Sequence, residues 1–221
     1  MNNLSDKFRK DADVKKLADK ALKDKKALLE MLESLLSEKK TKNDHCGAVK
    51  YNCLKALWIL SEDNPEVLYP KWDFFVELFD NNNTYLRFLA VCVIANLTKV
   101  DTENKFEKTF NRYYKLLRDK STIVPAHVAG NSGKIAKANP KLQTKITSRL
   151  LSIDKVLESK QKDLVGGYTI EAFSEYFKEA KDKKKIIEFV KKQLKSKSPR
   201  TRKKAKEFLK KWEKYNLLMQ S

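Results

Sequence analysis

Glycine and proline are scarce in this chain, with five of each in 221 residues. Sheets and tight turns draw on both, so the shortage favours long helices over strands. No stretch approaches the ~18 uninterrupted apolar residues that a membrane-spanning helix needs. The opening residues, Met-Asn-Asn-Leu-Ser-Asp-Lys, reach charge without an apolar run. That predicts no secretory signal and an intracellular protein. Three cysteines, Cys46, Cys53 and Cys92, make no disulfide framework. Cys53 and Cys92 fall on apolar helix faces and read as small buried hydrophobes. With two histidines, His45 and His127, and no Cys-x-x-Cys, no metal or cofactor is expected. Also missing are a Ser/His/acid arrangement, a paired-histidine zinc motif and a phosphate loop, for which Gly166-Gly167 alone does not suffice. The chain is expected not to be an enzyme.

Acidic residues are the remaining shortage. There are 29 against 48 lysines and arginines, for a net charge of +19. The surplus is uneven: +4 over residues 1–42, −3 over 43–102, +7 over 103–154 and +11 over 155–221. Charge on this scale speaks of partners and solubility rather than of fold. It consists of 41 lysines and 7 arginines. Lysine lacks the planar fork that reads phosphates and bases bidentately, so sequence-specific nucleic-acid reading is disfavoured.

What is present is a repeat. In the apolar stretch Asn83–Leu97, Arg87 is followed by Ala90 and Ile94. The same basic, small, aliphatic spacing occurs at Lys50, Cys53 and Leu57, 37 residues upstream, and at Arg202, Ala205 and Leu209, 115 residues downstream. The second interval is three periods of about 38, in the range of stacked helix-pair repeats. Asn64-Pro65 and Asn139-Pro140 lie two periods apart and hold the same register. The spacing predicts an all-α chain with a lead-in or capping helix in 1–26 and repeats at about 27–64, 65–101, 102–140, 141–180 and 181–216, all in one domain over 1–221. Apolar stripes place Leu22 and Leu36 inward. A helix over 84–97 is apolar nearly all round and should be buried on several sides. A helix over 124–138 is built of small residues, including Gly130 and Gly133, and should admit a close neighbour or a partner.

Helix pairs with this period, Asn-Pro punctuation and Arg-x-x-Ala-x-x-x-Leu on the second helix resemble HEAT repeats. Ser198-Pro199-Arg200-Thr201-Arg202-Lys203-Lys204-Ala205 matches best, then Asn83-Thr84-Tyr85-Leu86-Arg87-Phe88-Leu89-Ala90. In the third and fourth repeats the basic and small positions drift. The resemblance spans roughly 27–216. It implies a right-handed α-solenoid whose second helices line a concave surface that binds proteins or nucleic acid. Stacking is required in any case, because no helix pair buries its apolar face alone.

The candidate binding element is the run Lys181–Lys210, with 14 basic residues against Asp182, Glu188 and Glu207. Lys195, Lys197, Arg200, Arg202, Lys203, Lys206 and Lys210 are its expected contacts for an acidic partner or phosphates. Arg202, Lys206 and Lys210 repeat every four residues and share a face. The bland alternative is a solvated outer face on a terminal capping repeat. Trp72, Tyr113 and Tyr114, with Trp212 and Tyr215, are candidates to stack bases if exposed, with core packing the favoured alternative. Some HEAT-like proteins are glycosylases for alkylated DNA bases. Trp72-Asp73 loosely resembles their motif, but Val76 stands where an acid is wanted. The expectation is therefore a non-enzymatic scaffold for an acidic partner, protein ahead of nucleic acid. An apolar patch beside the basic residues would mark a protein partner. A continuous lysine stripe along several second helices would mark nucleic acid.

Overall fold

The computed structural model describes residues 12–37, 45–157 and 159–218. The lead-in positions Leu4 and Phe8 and the side chains of Cys46, Val49 and Tyr215 lie outside the described ones. The described elements are all helical, and none is long and apolar enough to cross a membrane. The single repeat domain expected from the sequence is divided into two compact units, residues 1–102 and 103–221.

In the first unit, α1 (Ala12–Lys23) packs on α2 (Lys25–Leu36), and both pack on α3 (His45–Asp63). Asp24 starts α2: its Oδ1 accepts from the Lys26 backbone N–H at 2.8 Å, satisfying one of the donors a helix start leaves open. Ala27, Leu28, Met31, Leu32 and Leu35 point inward as the stripe predicts. Leu22 and Leu36 do not, at 39% and 50% exposure. Leu36 is the last residue of α2 and Leu22 the last but one of α1.

After Asn64 the chain advances in short pieces: α4 (Pro65–Leu68), a 3-10 turn over Tyr69–Lys71, α5 (Trp72–Glu77) and a second 3-10 turn over Leu78–Asp80. Pro65 opens α4 and Pro70 lies in the first 3-10 turn, both at helix-start positions where a missing N–H costs little. α6 (Thr84–Leu97) follows, capped by Asn83, whose Oδ1 accepts from the Tyr85 N–H at 2.9 Å. Every residue from Phe88 to Leu97 is buried, as the all-round apolar pattern predicts. One polar pair is buried with them: Asn96 donates to Ser61 Oγ at 2.9 Å, and Ser61 donates to the Trp58 carbonyl at 2.6 Å. This locks the register of α6 on α3, because a buried amide left unpaired would be costly.

The second unit comprises α7 (Lys105–Lys115), α8 (Ile123–Ala138), α9 (Gln143–Leu151), α10 (Ile153–Val156), α11 (Ser159–Tyr176), α12 (Lys183–Gln193) and α13 (Pro199–Leu218). Asn104, before α7, has φ 54°, a left-handed conformation that asparagine tolerates well. Ser152 separates α9 from α10. α8 packs on α11 and α11 on α13, while α9 packs on α12.

Glycines set the first two of these contacts. A Cβ on Gly133 would lie 2.9 Å from the backbone of Ala172, so α8 and α11 nearly touch there. The small-residue helix is thus filled by a neighbouring helix of the same chain. Gly166-Gly167 lie inside α11. A Cβ on Gly167 would meet Thr201 Oγ1 of α13 at 2.8 Å. Phe106, Phe110, Tyr113 and Tyr114 of α7 form one buried aromatic cluster of this unit, with ring centroids 4.6–6.1 Å apart. Two buried phenols are paired: Tyr114 with Ser132 at 3.0 Å and Tyr176 with Thr147 at 2.9 Å. Burial pushes both phenols far above their usual range.

Candidate binding surface

A loop that enters a helix carries carbonyls with no helical partner, and these must be held. Arg87 does this before α6: its Nη1 donates to the carbonyls of Asn81 at 2.7 Å and Asn82 at 3.0 Å. Arg202 does the same before α13, donating to Ser196 at 2.6 Å and Lys197 at 3.0 Å. In both cases the acceptors lie six and five residues before the arginine. At these two positions the basic residue of the sequence motif is therefore a backbone clamp. Before α8, Gln161 of α11 reaches over and donates to the carbonyls of Asp119, Lys120 and Ser121 at 3.0–3.3 Å.

The loop before α13 is pinned from the other side by Asp163 of α11. Its carboxylate accepts from the Ser196 hydroxyl and from the Lys197 backbone N–H at 2.8 Å. Its carbonyl accepts from the Thr201 hydroxyl. The Ser196 hydroxyl, more than the neighbouring backbone donors, holds the Asp163 carboxyl below its ordinary range. Nothing local in the sequence marks Asp163 or Gln161, since their partners lie 33–42 residues away.

On this pinned base the basic residues sort into three groups. Arg202 is half-buried and engaged by the loop. Arg200 and Lys204 both pair with Glu171 of α11, the first at 3.7 Å. The Arg200 guanidinium also stands 5.1 Å over the Tyr168 ring, and His127 of α8 packs against that ring with centroids 5.5 Å apart. Burial first, then the charges of Lys134 and Arg200, lowers the His127 pKa to about 4, so the imidazole is neutral at pH 7. The remaining cations lie on the α12–α13 hairpin. Lys183, Lys184, Lys191, Lys192, Lys195, Lys197, Lys203, Lys206 and Lys210 are all exposed. Of these, Lys203 pairs with Glu207 at 3.8 Å. Lys185, also exposed, is held by Asp182 at 2.9 Å, and that hydrogen bond raises its pKa.

Six of the seven expected contact residues are thus exposed on one helix pair and its turn, and the seventh, Arg202, is committed to the fold. The face that carries His127, Tyr168 and Arg200 is of mixed charge: Glu171, Glu175 and Glu207 interrupt Lys134, Arg200, Lys204 and Lys211. Trp72, Tyr113 and Tyr114 are core residues at 1%, 0% and 4% exposure, so in this structure they offer no ring for a base to stack on. Trp212 is buried against Phe177, with centroids 4.7 Å apart. Asp73 is exposed while Trp72 beside it is not, so the glycosylase-like pair does not face one surface. Among the described residues no group of three histidine, cysteine or acidic side chains is placed to hold a metal.

Comparisons of the chain with protein-family models, curated proteins and solved structures find no match. The functional reading therefore rests on the residues and their geometry.

Proposed function

We propose that this chain is a non-enzymatic HEAT-like scaffold that binds an acidic protein through the α12–α13 hairpin. The observation that carries the reading is the set of exposed lysines on that hairpin, Lys183, Lys184, Lys191, Lys192, Lys195, Lys197, Lys206 and Lys210, among which the exposed acids Glu188 and Glu207 are interposed. A surface this unbalanced attracts anionic partners over a distance set by ionic strength. The succession of second helices α8, α11 and α13, beside the first helices α9 and α12, supports an α-solenoid of about five helix pairs. Its right hand and its concave surface come from the HEAT resemblance. The acids among α8, α11 and α13 speak against a continuous phosphate-tracking stripe and favour a protein over nucleic acid. Buried Trp72 speaks against alkylated-base excision. The scarcity of cysteine, three in the chain, supports an intracellular setting.

The test is a salt titration of binding to labelled oligoglutamate, duplex DNA and single-stranded RNA, with a Lys195→Glu/Lys206→Glu/Lys210→Glu variant alongside. The proposal expects oligoglutamate to bind at about 150 mM salt, more tightly than either nucleic acid. The charge-reversed variant should weaken it by at least about tenfold. A tighter, steeply salt-dependent complex with DNA or RNA would transfer the surface to nucleic acid.

A further inference from the structure

The lysines of the α12–α13 hairpin have a counterpart of opposite sign in the first unit. It lies on the short helical pieces between α3 and α6. The exposed residues of 63–80 are Asp63, Glu66, Pro70, Asp73, Glu77 and Asp80, five acids and a proline. Between Lys55 and Arg87 the one basic residue is Lys71. The acids follow one another at steps of three, four or seven residues, the spacing of a helical face. Leu68, Trp72, Phe75, Leu78 and Phe79 hold the opposite side in the core, so the acids are fixed outward. α12 shows the same pattern with the sign reversed. Its exposed residues are Lys183, Lys184, Lys185, Glu188, Lys191 and Lys192, five lysines and one acid. Ile186, Phe189 and Val190 anchor its other side. Asp182 holds Lys185, while Lys184, Lys191 and Lys192 share a face by their spacing.

We propose that the acidic partner of the α12–α13 hairpin is the 63–80 face of a second copy of this chain. The inference rests on the acidic-partner reading above and names that partner. Every copy carries both faces, so the contact is heterologous: the hairpin of one copy meets the acidic face of the next. Each joined pair keeps one hairpin and one acidic face with which to recruit further copies. Hairpin against hairpin, or acidic face against acidic face, sets like charges together and is repelled, so the pairing has a direction. The net charge of +19 on every copy opposes assembly. At about 150 mM salt the screening length is about 8 Å, so distant like charges are damped while opposite charges in contact still attract.

The experiment is sedimentation velocity of the full chain over about 10–500 µM, the range of a weak complex, with oligoglutamate binding measured in parallel. Three variants accompany wild type. One reverses the acidic face (Glu66→Lys/Asp73→Lys/Glu77→Lys), one reverses the hairpin (Lys184→Glu/Lys191→Glu/Lys192→Glu), and the third combines both. All six side chains are exposed, so the fold is kept, which circular dichroism verifies. The combined variant retains the net charge of +19, so its behaviour reports the placement of charge and not its total. The proposal expects wild type to assemble at about 150 mM salt and to be monomeric at about 1 M, where screening reaches in to about 3 Å. Each single-face variant should lower the association constant by about tenfold or more, and the combined variant should restore it to within about threefold. An equal mixture of the two single-face variants should associate although neither does so alone, and oligoglutamate should dissociate the wild-type assembly. Wild type that stays monomeric throughout overturns the proposal, as does assembly indifferent to either reversal, or a combined variant no better than the single ones. Oligoglutamate bound by a monomeric wild type and lost in the hairpin variant sinks the second copy as partner and leaves the acidic-partner reading standing. A wild type that neither assembles nor binds oligoglutamate removes both.

Discussion

Arg202 and Lys206 are one helical turn apart on α13 and have opposite fates. The guanidinium turns back onto two loop carbonyls, while the ammonium stands in solvent. Hydrogen bonds from a charged donor contribute about 1.5–3 kcal/mol each when buried, and less when half exposed. Arg202→Ala is therefore expected to lower unfolding stability by about 1–2 kcal/mol in urea, with binding of acidic peptides little changed. Lys206→Glu should do the reverse. His127 makes a second residue-scale prediction. Its folded pKa of about 4 lies below the unfolded value of 6.5. The stability it contributes is complete above pH 6.5 and is lost as pH falls toward 4. Because the ring is half-buried, the loss by pH 5 should be on the order of 1 kcal/mol after allowance for screening. Besides Lys134 of its own helix, the groups facing it are Tyr168 of α11 and Arg200 of α13. His127→Gln should flatten the stability profile between pH 7 and pH 5, measured by urea midpoint.

At the scale of elements, the close approach of α8 to α11 separates two glycines that look equivalent in sequence. Alanine at either position gains about 1 kcal/mol of helix propensity. At Gly133 the added Cβ meets the backbone of Ala172 at 2.9 Å, which cannot move cheaply. At Gly130 it meets Tyr168 Cδ1 at 3.0 Å, the edge of a half-exposed ring that can turn. Gly133→Ala should thus destabilise by about 1–3 kcal/mol, and Gly130→Ala should be near neutral or stabilising. Chemical denaturation of the two variants side by side checks this. Much of the element order was legible: the period near 38, the Asn-Pro punctuation and the apolar register located most of the helices. The drift of the motif in the expected third and fourth repeats was visible too, but what holds the loop before α8 was not. Gln161 does so from another helix, 40–42 residues on, and no local pattern announces a partner at that distance. The same holds for Asp163 and the Ser196-Thr201 loop. Trp72, Tyr113 and Tyr114 were named as candidates because aromatic type alone is silent on burial; their helical spacing among aliphatics pointed to the core, where they lie.

For the whole molecule, the net charge of +19 is less informative than its distribution. Part of the basic run is consumed by Glu171, Asp182, Glu207 and the loop carbonyls. What remains exposed concentrates on α12, α13 and the turn between them. The central claim is that these lysines, and not the charge as a whole, meet the partner. Lysine acylation footprinting with mass spectrometry reads all 41 lysines at once. With oligoglutamate bound at about 150 mM salt, the account predicts protection of Lys191, Lys192, Lys195, Lys197, Lys206 and Lys210. Lys15, Lys16, Lys108 and Lys141, exposed on other helices and turns, should react as before. Uniform protection across the chain, or protection centred outside the α12–α13 hairpin, would contradict it.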